Sequence, residues 1–181
     1  MEQFAAEWPV FQIAPHAHSF PFSYEAGDHA DLYALLKPQY PDPDGVLAAW
    51  ARSFVAAEPT DTLSLLKDIN AGMLARVNYR VREEDGTRSP LETLSLASGS
   101  CRDIAALFLE VVRHLGFGAR AVSGYLHAPG AGFEDAGSTH PWAEIYLPKL
   151  AGSLSIRRMP ASAQRGFWRL LMVAATIASC R

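Results

Sequence analysis

The chain has 181 residues, with 16 Lys and Arg against 19 Asp and Glu and a formal net charge of −3. Apolar residues make up 49% and charged residues 19%, values that are ordinary for a globular protein with a core of its own. The small net charge argues against a nucleic-acid or membrane-surface partner. Two cysteines, Cys101 and Cys180, exclude a disulfide framework and the paired spacing of a zinc site.

No basic and apolar leader is visible at the N-terminus, so we expect a cytoplasmic protein. The longest apolar stretch, 167–178, contains Arg169 and is too short to span a bilayer. The charge is nevertheless uneven, because residues 145–181 carry six basic and no acidic side chains. A basic tail of this kind is typical of an interaction arm.

Residues 1–42 show no sustained period, which predicts loops, short extended pieces and a short helix near 31–36. His16 and His18 would share one face of a strand. We expect them to be solvated rather than metal ligands, because no further ligand is nearby.

Three helices are predicted next from cap residues and apolar spacing. Asp42-Pro43 predicts a helix start, and Thr60 or Asp61 begins a second helix. Ser89-Pro90 begins a third, which ends at about Leu96. The apolar stripes of the first two helices are expected in the core; they are Val46, Ala49, Trp50 and Phe54, then Leu63, Leu66, Met73, Leu74 and Val77.

From Cys101 the period is strongly helical until Gly116, the expected C-terminal stop. The pattern then alternates over 119–126 and 140–147, which predicts two strands separated by a Gly-rich loop. His140, Trp142, Glu144 and Tyr146 would share one face of the second strand. Helices followed by strands predict an α+β fold.

The segment 99–103 places Cys101 at the first residue of an amphipathic helix. Unpaired N–H groups and the helix dipole favour the thiolate there, which is the nucleophilic form. A free cysteine is also commonly buried and inert. A nucleophilic thiol needs a base; His140 is the first candidate, His127 a weaker one, and His114 lies roughly 20 Å away at the far end of the helix.

Several segments, in this order and spacing, resemble the bacterial transglutaminase-like superfamily from about residue 25 to Pro148. They are SPLETL at 89–94, GSCRD at 99–103, LG at 115–116, AR at 119–120, VSGYL at 122–126 and THPWAEIYLP at 139–148. The resemblance implies a papain-like core in which a catalytic helix packs on an antiparallel sheet. It implies a Cys-His-Asp triad for acyl transfer on a peptide or protein substrate, without a cofactor or metal.

By that resemblance Cys101 is the nucleophile and His140 the base, while Trp142 lines the cleft or the core. Arg102 and Asp103 are expected to be local structural residues of the first helical turn. Two departures stand out. Pro141 replaces the alanine found after the histidine in many relatives. The third triad acid is absent, because the Gly-Trp and Phe-Asp-Pro-Thr that the family places after the histidine strand are missing.

A shifted reading frame offers one explanation for the missing acid. Synonymous codons for residues 150–158, read from the last base of the Leu150 codon, spell Gly-Trp-Val-Ala-Phe-Asp-Pro-Thr. We therefore predict a transglutaminase-like core over 26–148 and an out-of-frame tail over 149–181, in which 168–178 forms a helix by chance or stays loose. Residues 1–25 are predicted to be a linker or the remnant of an N-terminal domain, so that the chain is a fragment at both ends.

Three functions stay open at this point. The first is a thiol enzyme that hydrolyses peptide or carboxamide bonds through Cys101 and His140. The second is a catalytically inactive domain that binds a peptide or partner, which the missing acid and Pro141 favour. The third, metal binding by Cys101, His140 and another histidine, has no ligand spacing behind it. The substrate and the oligomeric state do not follow from the residues.

Overall fold

The computed structural model describes residues 13–125, 139–148, 154–158 and 168–169. Its helices follow the cap and stripe signals of the sequence. A short 3-10 helix at Pro15–His18 precedes five α-helices, which are α1 (Ala26–Leu36), α2 (Val46–Arg52), α3 (Thr62–Arg76), α4 (Pro90–Leu96) and α5 (Cys101–His114).

The strands form three small sheets in the described part of the chain. Strand β1 (Ser19–Phe20) pairs antiparallel with β2 (Thr60–Asp61), and β3 (Asn78–Tyr79) pairs parallel with β4 (Ser98–Gly99). The largest sheet is antiparallel in the order β5 (Ala119–Tyr125), β6 (Thr139–Ile145), β7 (Leu154–Arg158) and β8 (Trp168–Arg169). Helices packed on an antiparallel sheet confirm the predicted α+β class.

Side-chain caps explain where the central helices begin. The Asp61 carboxylate accepts a hydrogen bond from the Ser64 N–H at the start of α3, and the Ser89 hydroxyl accepts one from the Glu92 N–H at the start of α4. Each bond satisfies an N–H group that has no partner within its helix. Both predicted starts are confirmed, and α4 ends at Leu96 as expected.

The predicted start of α2 at Asp42-Pro43 is wrong by three residues. Residues 42–45 form a turn closed by a bond from the Gly45 N–H to the Asp42 carbonyl, and Gly45 has a positive φ of 67° that a helix cannot continue through. The Asp42 carboxylate still binds the first turn of the helix, because it accepts the Ala48 N–H at 3.0 Å. The residue at the cap position is therefore Gly45 rather than Asp42, and Asp42 supports the first turn from across the turn.

The amphipathic helix α5 is the centre of the core. Ile104, Leu107, Phe108 and Val111 are buried, as the spacing predicts. Gly116 takes a positive φ of 86° just after the helix end, which confirms the predicted stop. The buried face of α3 differs from the predicted stripe. Leu65 and Ile69 are fully buried in addition, while the predicted Leu63 and Leu74 are only partly covered.

The described part of the predicted linker packs against this core. Ile13, Ala14 and Ala17 are buried, and the Ala14 N–H donates to the Pro148 carbonyl after β6. The Tyr24 hydroxyl donates to the Tyr146 carbonyl and accepts the Gly118 N–H, and its burial is the main reason that its pKa rises to about 12. His16 and His18 are exposed in a 3-10 helix rather than on a strand.

Strand β7 lies within the predicted out-of-frame tail and pairs with β6. Its Cα register places Ile156 opposite Ala143, Ser155 opposite Glu144 and Leu154 opposite Ile145. Trp168–Arg169 form a strand rather than the beginning of a helix. Among the residues that the structure describes, no helix is both long and apolar enough to cross a membrane.

Candidate active site

Cys101 is the first residue of α5 and is half-buried as a free thiol. At this position the first N–H groups of a 14-residue helix lack intrahelical partners and point towards the side chain's surroundings. The helix dipole places its positive end there as well. Reactive cysteines typically occupy partly exposed positions of this kind.

A buried carboxylate fixes the start of this helix. One oxygen of Asp103, Oδ2, accepts both the backbone N–H and the hydroxyl of Ser100 at 2.8 Å. The Asp103 side chain is completely buried. Because Ser100 is the helix cap and precedes Cys101 directly, these two bonds determine where the thiol enters the site.

Asp103 also binds a segment that lies some twenty residues earlier in the chain. The Arg82 guanidinium donates to both carboxylate oxygens, from Nε at 3.1 Å and from Nη2 at 3.2 Å, and the Arg88 N–H donates at 2.7 Å. Burial alone would raise the pKa of Asp103, but the bonds from Arg82, Arg88 and Ser100 together lower it to about 2. Asp103 is therefore ionised at neutral pH and connects the helix start to residues 82–88.

Arg102 strengthens the same connection. Its guanidinium donates to the carbonyls of Arg82 and Glu84, while its buried Nε finds no hydrogen-bond partner among the residues that the structure describes. The sequence predicted local roles for Arg102 and Asp103 within the first turn. Both side chains instead bind residues 82–88, a segment that lies well before them in the sequence. We refer to residues 82–88, Arg102 and Asp103 together as the Asp103 anchor.

The backbone before Cys101 is held by a second set of contacts. The Asn78 and Arg80 N–H groups donate to the carbonyls of Ala97 and Gly99 across the β3–β4 pair. A Cβ added at Gly99 would lie 2.9 Å from the Asp103 Cβ and 3.1 Å from Thr93 Cγ2. Glycine is required at this position because the anchor approaches the backbone so closely.

His140 is the second residue of β6, with its Cα opposite Gly124 of β5. Strand β6 packs against α5, and its next residues, Pro141 and Ala143, face the same crevice as Ala105, one helical turn after Cys101. The backbone of His140 thus belongs to the part of the sheet nearest the Cys101 end of the helix. His114 lies at the opposite end of α5, and His127 is outside the described residues.

A small crevice separates α5 from β6 and α3, and we call it the α3–α5–β6 crevice. Trp142, which the sequence suggested for a cleft or the core, forms part of its wall. Among the described residues the lining side chains are largely apolar, and Asn70 contributes an amide. The walls include Ile104, Ala105 and Phe108 of α5, Asn70 and Met73 of α3, and Pro141 and Trp142 of β6.

Glu144, the acidic residue nearest to His140 in the strand, is engaged elsewhere. It is almost fully buried, and Arg120 on the neighbouring strand donates to its Oε2 from Nε at 2.9 Å. The sequence contains no acidic residue after Glu144. In the described part of the chain, no group of three His, Cys, Asp or Glu side chains could hold a metal ion.

The sequence pattern of the transglutaminase-like superfamily matches residues 48–153, which is more than half of the chain and includes Cys101 and His140. This chain belongs to the transglutaminase-like superfamily. The match begins within α2 and ends just before β7, so both α5 and β6 lie inside it. No curated protein sequence matches this transglutaminase-like chain.

A solved structure has a similar fold. It is titled a "putative cysteine protease" from Cytophaga hutchinsonii, is 22% identical and superposes with a TM-score of 0.56 over 70% of this chain. The match covers 41% of that protein, so this chain spans less than half of its structural relative. At this identity the likeness concerns the fold, and it agrees with the papain-like core that the resemblance implied.

Two features of the site were missed from the sequence. The Asp103 anchor was missed because its partner, Arg82, is distant in sequence and sits in a polar stretch without a period. Asn70 was missed because it lies between apolar residues of α3, although a polar side chain within the buried stripe of a helix is itself a usable signal.

Proposed function

We propose that the chain is a transglutaminase-like thiol enzyme that acts on peptide or carboxamide bonds, with Cys101 as nucleophile and His140 as base. The observation that carries the proposal is the position of Cys101 at the start of α5, fixed by the buried Asp103 carboxylate. A cysteine that only fills the core is buried, whereas Cys101 is half-exposed at the positive end of a helix, the environment in which reactive cysteines are found.

The reaction follows from these two groups. The Cys101 thiolate attacks the carbonyl carbon, and N–H groups at the start of α5 stabilise the oxyanion. The C–N bond then breaks, His140 transfers a proton to the departing amine, and a thioester remains on Cys101. Water adds to the thioester, and the carboxylic acid leaves as the thiol re-forms. Hydrolysis is the simpler outcome because water needs no dedicated site.

The packing of α5 on β6 supports the pairing of these residues. The residues that follow His140 in β6, Pro141 to Ala143, line the same crevice as Ile104 and Ala105, which lie one helical turn after Cys101. His114 is excluded as the base by its distance along the helix axis, roughly 20 Å.

An inactive domain that binds a peptide or protein partner is the second candidate. The observation that favours it is the missing acid. Glu144 is engaged by Arg120, and no acidic residue follows it. Loss of the triad acid typically lowers kcat by roughly 10⁴-fold. Such a domain would keep the fold without the reactivity of the thiol.

Thiol alkylation across pH tests the first candidate against the second. The Cys180→Ser variant is treated with iodoacetamide between pH 5 and pH 9, and labelling of Cys101 is followed by peptide mass spectrometry. An enzyme is expected to react at about pH 6, well below the roughly pH 8.5 at which ordinary thiols ionise. Labelling that begins only near pH 8.5 would contradict the enzyme and favour the binding domain.

We also propose that the reading frame shifted near Lys149. The β6–β7 pairing supports this, because the missing Asp codon would span Ser155 and Ile156, which pair with Glu144 and Ala143 of the strand that carries His140. A segment from the family would therefore enter the sheet beside β6, three or four residues along the strand from the base. Resequencing the gene from the Leu147 codon onward tests the shift directly, and bases that cannot spell the missing segment would exclude it.

A restored chain gives a second test of the frame. Residues 151–158 are replaced by Gly-Trp-Val-Ala-Phe-Asp-Pro-Thr, and the matched control carries Asn instead of Asp within that segment. The burst of p-nitrophenol from p-nitrophenyl acetate measures acylation of Cys101. We expect the rate of this acylation burst to be about 10³-fold or more higher than in the original chain and in the Asn control. Equal bursts from both segments would contradict the proposal.

A further inference from the structure

Two Asp-Gly dipeptides occur in the described part of the chain, at residues 44–45 and 85–86. Both aspartates are exposed. Both glycines have a positive φ, 67° for Gly45 and 79° for Gly86, and a Cβ added at either one would meet no atom within 4 Å. Because glycine has no side chain, its N–H group can approach the preceding carboxyl group without obstruction. The two dipeptides are therefore alike in sequence and in the space around them.

The dipeptides differ in how the glycine amide is bound. The Gly45 N–H donates to the Asp42 carbonyl at 3.1 Å, and Gly45 directly precedes α2. Among the residues that the structure describes, the Gly86 N–H finds no acceptor, and the Asp85 carboxylate has no hydrogen bond or ion pair. An amide that is hydrogen-bonded and continuous with a helix must open locally before it can react, whereas a free amide is ready to react. Asp85-Gly86 is therefore the reactive dipeptide of the two.

We propose that Asp85 is a modification site, at which the chain rearranges spontaneously to isoaspartate. The Gly86 nitrogen attacks the side-chain carboxyl carbon of Asp85, and the amide proton leaves with the carboxyl hydroxyl as water. A five-membered cyclic imide results. Water that adds to the side-chain carbonyl restores aspartate. Water that adds to the main-chain carbonyl breaks its bond to the Gly86 nitrogen, so that the peptide bond runs through the former side chain and the main chain gains a methylene group.

The position of Asp85 gives this rearrangement a structural consequence. Arg82 and Arg88 lie on either side of it and bind the same carboxylate, since Arg82 Nε is 3.1 Å from Asp103 Oδ2 and the Arg88 nitrogen is 2.7 Å from Asp103 Oδ1. Arg82 also donates to the Gly86 carbonyl at 2.8 Å, across the modified bond. A loop whose two ends are held by one buried group cannot lengthen without straining or breaking these bonds.

The extra methylene group is therefore expected to loosen the Asp103 anchor. This inference does not depend on the proposed function, because it concerns the anchor and not the reaction of the thiol.

Incubation in water that contains oxygen-18 measures the rearrangement directly. The full chain is kept at pH 6 and 37 °C, digested in ordinary water, and analysed by mass spectrometry with electron-transfer fragmentation, which distinguishes isoaspartate from aspartate. Each imide that reopens takes up one heavy oxygen atom, so residues 44 and 85 report independently. We expect uptake at Asp85 to exceed uptake at Asp44 by about tenfold or more. Uptake that is equal at the two residues, or absent at Asp85, would overturn the proposal.

The same incubation in guanidinium chloride is the internal control. In the unfolded chain the Gly45 N–H loses its bond to the Asp42 carbonyl, so the two dipeptides should take up heavy oxygen at rates within about twofold of each other. A tenfold preference for Asp85 that persists in the unfolded chain would come from the neighbouring sequence rather than from the fold, and it would overturn the structural argument.

The Asp85→Glu variant tests the effect on the anchor. Glutamate keeps the charge but would have to close a six-membered imide, which forms far more slowly. Parent and variant are incubated until half of the parent chains carry isoaspartate at residue 85, and both are then unfolded in urea. We expect the modified half of the parent to unfold at a lower urea concentration, and the curve of Asp85→Glu to stay unchanged by incubation. Modified chains that unfold at the original concentration would overturn the loosening of the anchor.

Discussion

Helix α5 carries a buried carboxylate near each end, and the two are bound in different ways. Glu110 accepts the N–H groups of Gln39 and Tyr40 and pairs at 2.9 Å with Arg113, which lies on the same helix. Asp103 instead pairs with Arg82, 21 residues earlier, and with two backbone N–H groups beside the site. Both carboxylates are completely buried.

The difference lies in what each carboxylate holds. Besides pairing with Glu110, Arg113 donates hydrogen bonds to the carbonyls of Leu35 and Ala119. The pair therefore joins α1 to the start of β5. The Asp103 anchor holds the residues that surround Cys101. The same physical device therefore stabilises the scaffold at one end of α5 and positions the proposed nucleophile at the other. Substitutions at the two ends of α5 should therefore separate the stability of the fold from the reactivity of Cys101.

The largest loss of stability is expected at the scaffold end. Glu110→Gln keeps the size of the side chain but leaves Arg113, which is 6% exposed, without its counter-charge. Breaking a buried pair in this way costs roughly 3–5 kcal/mol, measured as the free energy of unfolding in urea. The rate at which iodoacetamide labels Cys101 in the folded variant should stay within twofold of the parent, and a larger change would remove the distinction between the two ends.

Asp103→Asn is the matched change at the site end. The amide cannot accept all the bonds that the carboxylate receives from Arg82, Arg88 and Ser100, so stability should fall by about 2–3 kcal/mol. Labelling of Cys101 at pH 6 should fall about tenfold as well, because the cap of its helix is lost. A variant that loses stability but labels at the parental rate would show that the anchor does not position the thiol.

Part of the pH dependence of the unfolding free energy should come from the Asp103 carboxylate. Its pKa in the folded chain, about 2, lies below the ordinary value of 3.8, so its contribution is present above pH 4 and is lost as the pH falls towards 2. The share is about 1–2 kcal/mol once solvent screening is taken into account. The difference in unfolding free energy between the parent and Asp103→Asn should shrink by that amount between pH 5 and pH 2, and a constant difference would contradict this assignment.

The two glycines that border α5 separate the effect of packing from that of backbone conformation. Gly99→Ala brings a Cβ against Asp103 and Thr93 and should cost about 1–3 kcal/mol through overpacking. Gly116→Ala meets no neighbour but retains a positive φ, so it should cost about 1 kcal/mol. Thermal unfolding measures both. Only Gly99→Ala should also alter labelling of Cys101, and an equal effect of Gly116→Ala would contradict the comparison.

The elements of the fold could largely be predicted from the sequence because their signals are local. Ser89 and Asp61 cap the helices that they were expected to cap, and Gly116 ends α5. Tertiary contacts decided the rest. The turn at Gly45 displaced the start of α2, and residues 13–24 gained a place in the core through contacts with the residues that follow β6 and with Gly118.

The candidate site divides in the same way. The position of Cys101 on its helix follows from local spacing, and the family resemblance supplied His140. The Asp103–Arg82 pair could not be predicted, because no local pattern links residues 82 and 103. The catalytic roles of Cys101 and His140, and the domain boundaries at residues 26 and 148, stay predictions.

The dependence of Cys101 on His140 tests the central proposal most directly. Iodoacetamide labelling is followed from pH 5 to pH 9 in the Cys180→Ser chain, alone and with His140→Ala or His114→Ala. We expect labelling near pH 6 to be lost in His140→Ala, which should react only near pH 8.5, and to be retained in His114→Ala. Identical profiles for His140→Ala and the parent would contradict a Cys101–His140 pair.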